Sequence, residues 1–72
     1  MNGSEFAAYM PPTALVDTIV HVWAMGGEND NEAYVLRTCW EALVTAVDAT
    51  EAYEMVESEI RGSMIDFLEV VS

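Results

Sequence analysis

Seventy-two residues are enough for one domain and too few for two, and 53% of them are apolar against 21% charged, more hydrophobic side chain than so small a core readily hides. Thirteen Asp and Glu stand against two Arg and one His, a net charge of −11, which repels phosphate backbones and anionic lipid and so excludes direct binding to nucleic acid or to a membrane surface. The single cysteine, Cys39, cannot close an intramolecular disulfide, which points to a reducing, cytoplasmic setting.

Gly3-Ser4-Glu5-Phe6 is a tetrapeptide that two adjacent cloning sites encode, so residues 1–9 read as a cloning-derived or disordered N-terminal segment and Met10 as the natural start. A single helical domain is expected over residues 10–72. Glu5 stands where a signal peptide would carry a cation, and Asp17, Thr18 and His21 interrupt the apolar run from Ala14 to Met25 before it reaches the roughly 18 residues that span a bilayer.

Pro11 and Pro12 suit the beginning of a helix, and the hydroxyl of Thr13 is expected to cap it. In helix 1, Leu15, Val16, Ile19, Val20, Val22 and Trp23 surround much of the circumference and leave a polar strip of Thr13, Asp17 and His21. A helix so apolar is buried on more than one side. Oligomerisation is one remedy for a domain this small, so Val16, Ile19, Val20 and Trp23 are expected to meet a second copy in a homodimer.

Gly26-Gly27 ends this helix, because glycine accepts the left-handed conformation of a C-terminal cap. Asn29 with Glu32 three residues later has the form of a capping box, and helix 2 follows from about Asn31 to Val47 with Leu36, Cys39, Trp40, Leu43, Val44 and Val47 on its buried face.

Neither Gly nor Pro occurs between Glu28 and Arg61, so residues 31–71 form either one long helix or two. The stripe Leu36-Trp40-Leu43-Val47 runs, at the same spacing, into Thr50, Glu51, Glu54 and Glu57, while a new stripe begins at Tyr53 and continues through Val56, Ile60, Met64, Phe67 and Val71. Asp48 with Glu51 three residues on forms a cap and first-turn pair. A weaker seam through Cys39, Leu43, Ala46, Ala49 or Thr50, and Tyr53 supports a helical hairpin with one long second helix. The preferred reading is an all-α, three-helix domain: a short apolar helix, a second helix and an acidic third, with Gly62 inside the last as a close-packing site or slight bend costing about 1 kcal/mol relative to Ala.

The chemistry-bearing residues are few. One Cys and one His cannot assemble a zinc site within a chain, and a calcium loop begun at Asp30 has Val35 where glycine is required. Asp17 and His21, one turn apart, could hydrogen-bond as half of a nucleophilic triad, but no serine lies in a glycine-rich turn or an oxyanion motif. They read as a surface or interface pair. No cofactor is expected, and the chain is not expected to be an enzyme.

Asp48, Glu51, Glu54, Glu57, Glu59, Asp66 and Glu69 place seven of the thirteen acids in the final segment. As a solvated face they keep a greasy chain soluble; as a functional face they attract a basic partner. Over about 22 residues at 1.5 Å rise these charges average roughly one per 4.7 Å, against about one per 1.7 Å of duplex axis, so imitation of nucleic acid would require a dimer. Arg37 and Arg61 lie four residues from Glu41 and Glu57 and are expected to pair with them on helix surfaces. Among the large apolar and aromatic side chains, Trp40 and Phe67 lie within clean stripes and read as core, whereas Tyr34 and Met55 lie off them and are the candidates for exposed contact.

A tiny, acidic, cysteine-poor helical chain resembles, as a class only, the small inhibitor proteins that bacteriophages use against host defence or regulatory proteins. The expected function is thus a protein-binding inhibitor or adaptor that docks on a basic or nucleic-acid-binding host protein through Tyr34, Glu51, Glu54, Met55, Glu57 and Glu59. The alternative is a structural or assembly subunit whose apolar helix 1 is completed inside a larger complex.

Overall fold

The computed structural model describes residues 9–26 and 29–72, and over them the protein is all-helical. Residues 1–8 of the expected N-terminal segment, together with Gly27 and Glu28, lie outside the described residues. Four helices are present among the described residues: α1 (Pro12–Ala24), α2 (Asp30–Ala46), α3 (Ala49–Glu57) and α4 (Met64–Val71).

Helix α1 begins two residues earlier than a Thr13 cap requires. Pro11 takes the capping position in extended conformation with no side-chain bond, Pro12 follows inside the first turn, and the amide of Leu15 donates to the Pro11 carbonyl at 3.1 Å. A proline costs nothing there, since the amide it lacks would have had no helical partner. At the other end Gly26 adopts φ 121°, a backbone that favours glycine.

The Asn29 signal operates as written: the Glu32 amide donates to Asn29 Oδ1 at 2.8 Å, and Asn29 Nδ2 donates to a Glu32 carboxylate oxygen. The break near Asp48 is also present. Asp48 caps α3 by accepting from the Glu51 amide at 2.7 Å, and α2 stops at Ala46. Over residues 31–71 one continuous helix would be about 60 Å long. The molecule's largest dimension is 28 Å, so the hairpin alternative does not apply.

The expected third helix is in fact two. Residues 58–63 form a turn in which Gly62 takes φ 89°, and Ser63 Oγ accepts from the Ile65 amide at 3.1 Å to start α4. Gly62 is therefore a chain-reversal residue rather than a helix-interior one. The apolar stripe hides the break because Ile60, inside the turn, is half-buried and Met64 resumes the core at the same spacing.

All four helices contribute to one core of Leu15, Val16 and Ile19 from α1, Leu36, Cys39 and Leu43 from α2, Ala52 and Val56 from α3, and Met64, Phe67 and Val71 from α4. Phe67 sits at its centre, with the rings of Trp23 and Trp40 each 5.5 Å away and nearly perpendicular, the edge-to-face arrangement that aromatic quadrupoles favour. The indole N–H of Trp23 donates to the Arg61 carbonyl at 2.7 Å, fastening α1 to the turn before α4.

Of the four residues expected at a dimer interface, two belong to the chain's own core. Val16 and Ile19 are buried within the chain itself, Val20 is half-buried against its core, and Trp23 is engaged by Phe67 and Arg61. The apolar surface of α1 packs chiefly against α2.

Candidate functional site

The acidic residues after α2 are set by three local devices. Asp48 is spent in part on its cap, α3 carries Glu51, Glu54 and Glu57, and the following turn and α4 carry Glu59, Asp66 and Glu69. All seven are exposed. Because Ala52 and Val56 face the core, successive side chains at about 100° divide the remaining surface of α3 into two flanks.

One flank forms a shallow groove lined by Ala49, Thr50, Tyr53, Glu54 and Glu57. Within this lining Tyr53 is half-buried, and Glu54 and Glu57 are exposed. Glu51 and Met55 are not part of this lining. Of the expected partner-binding set, Glu54 and Glu57 share the lining, Glu51 precedes Glu54 by three residues on the same helix, and Glu59 lies in the turn beyond α3.

Tyr34 on α2 is 48% exposed, as its position off the apolar stripe implies. Met55, by contrast, is half-buried and packs against the core, because α3 is so short that its flanks lie close to its neighbours. Ala49 and Thr50 were not among the expected contacts. The stripe assigns Tyr53 to the core, and the available signal was its four-residue spacing to Glu57, which places an amphipathic ring beside a carboxylate on an exposed surface. Met25 and Ile65, exposed at 66% and 71%, are further large apolar side chains that periodicity did not mark.

Asp17 and His21 are both exposed on α1, and Cys39 is buried in α2 with its thiol pKa pushed up by desolvation. A buried thiol of that kind is a poor nucleophile. Arg61 lies beyond the end of α3, so its four-residue spacing to Glu57 is not a helical one; its carbonyl instead holds Trp23. Among the described residues no three His, Cys, Asp or Glu side chains gather as a metal site, and no helix is long and apolar enough to cross a membrane. Set against known proteins, the chain matches no family model, no curated protein and no solved structure.

Proposed function

We propose that this protein is a small inhibitor or adaptor that binds a basic protein through the exposed face of α3 and the turn that follows it. The observation that carries this reading is the concentration of Asp48, Glu51, Glu54, Glu57, Glu59, Asp66 and Glu69 on one contiguous stretch of chain where Arg61 is the one cation. Unneutralised carboxylates attract a cationic surface at a distance and repel anionic ones, which favours rate and selectivity of encounter more than affinity. The turn at 58–63 divides the acids between two short helices, so they do not form the single long row that imitates a duplex. This counts against nucleic-acid mimicry.

The test is capture of the partner from lysate of the source cell with low-salt and then high-salt elution, followed by affinity measurements on Glu51→Lys, Glu54→Lys, Glu57→Lys combined. Exposed ion pairs contribute roughly 0.2–1 kcal/mol each, so the triple variant is expected to bind roughly threefold to a hundredfold more weakly and with a flatter salt dependence. Unchanged affinity would remove the electrostatic role of α3.

A further inference from the structure

We draw no further inference here: the strongest candidate, the outer face of α4 where the exposed Ile65 stands one turn before the half-buried Leu68, is an unpartnered apolar face, and nothing in the structure shows what covers it.

Discussion

Phe67 and Cys39 show how much one side chain carries in so small a core. Phe67 is fully buried and touches both tryptophans edge-on, so Phe67→Ala removes a ring from the centre of four helices and opens a cavity that α1 and α2 cannot close without losing their own contacts. A loss of about 3–5 kcal/mol is expected, enough to abolish the cooperative urea transition of a domain this size. Cys39 makes a pH prediction. Burial favours its neutral thiol, so the native chain keeps a proton at a pH where the unfolded chain has released it. The contribution is complete below the ordinary thiol range and lost as pH rises through the raised value, so stability should fall on the alkaline side. Urea titrations from pH 7 to 10 should show this decline in the parent and its absence in Cys39→Ala, after allowance for the smaller side chain.

At the scale of elements, Gly62 decides between two descriptions with opposite signs. In a helix interior, Gly62→Ala would stabilise the chain by about 1 kcal/mol. In the turn, φ of 89° penalises any Cβ, although the nearest atom, Trp23 Nε1, would lie at a comfortable 3.9 Å. The cost is therefore one of backbone rather than space, and Gly62→Ala is expected to destabilise by about 1 kcal/mol in chemical unfolding. A gain in stability would restore the continuous helix. Capping chemistry was the legible part of this chain: Asn29-Glu32 and Asp48-Glu51 announced two helix starts, and each side chain makes the predicted bond. The start of α4 carried a comparable signal, Ser63 with Asp66 three residues later, which the unbroken spacing of Val56, Ile60, Met64 and Phe67 concealed. Periodicity reports which side chains are buried, and here a turn preserves that periodicity without preserving the helix. The depression on α3 was hidden for a related reason, because Tyr53 stands in the core stripe and yet is only half-buried.

For the whole molecule the dominant electrostatic fact is self-repulsion. With a net charge of −11 on 72 residues, folding brings like charges together, and added salt screens them. The melting temperature is expected to rise when sodium chloride goes from 10 to 500 mM, by calorimetry or circular dichroism; a fall would mean that ion pairs outweigh repulsion. The same excess charge opposes association through the exposed side chains of Met25, Tyr34 and Ile65.

Both tryptophans border one ring, and that gives the protein a built-in optical gauge. Trp23 and Trp40 come from different helices yet share Phe67 of α4 as a neighbour, so any event that lifts α4 off the core changes the surroundings of both indoles together. A partner seated on α3 leaves the emission spectrum where it was, while one that pries α4 loose moves it to longer wavelength, and a fluorometer alone distinguishes docking from remodelling.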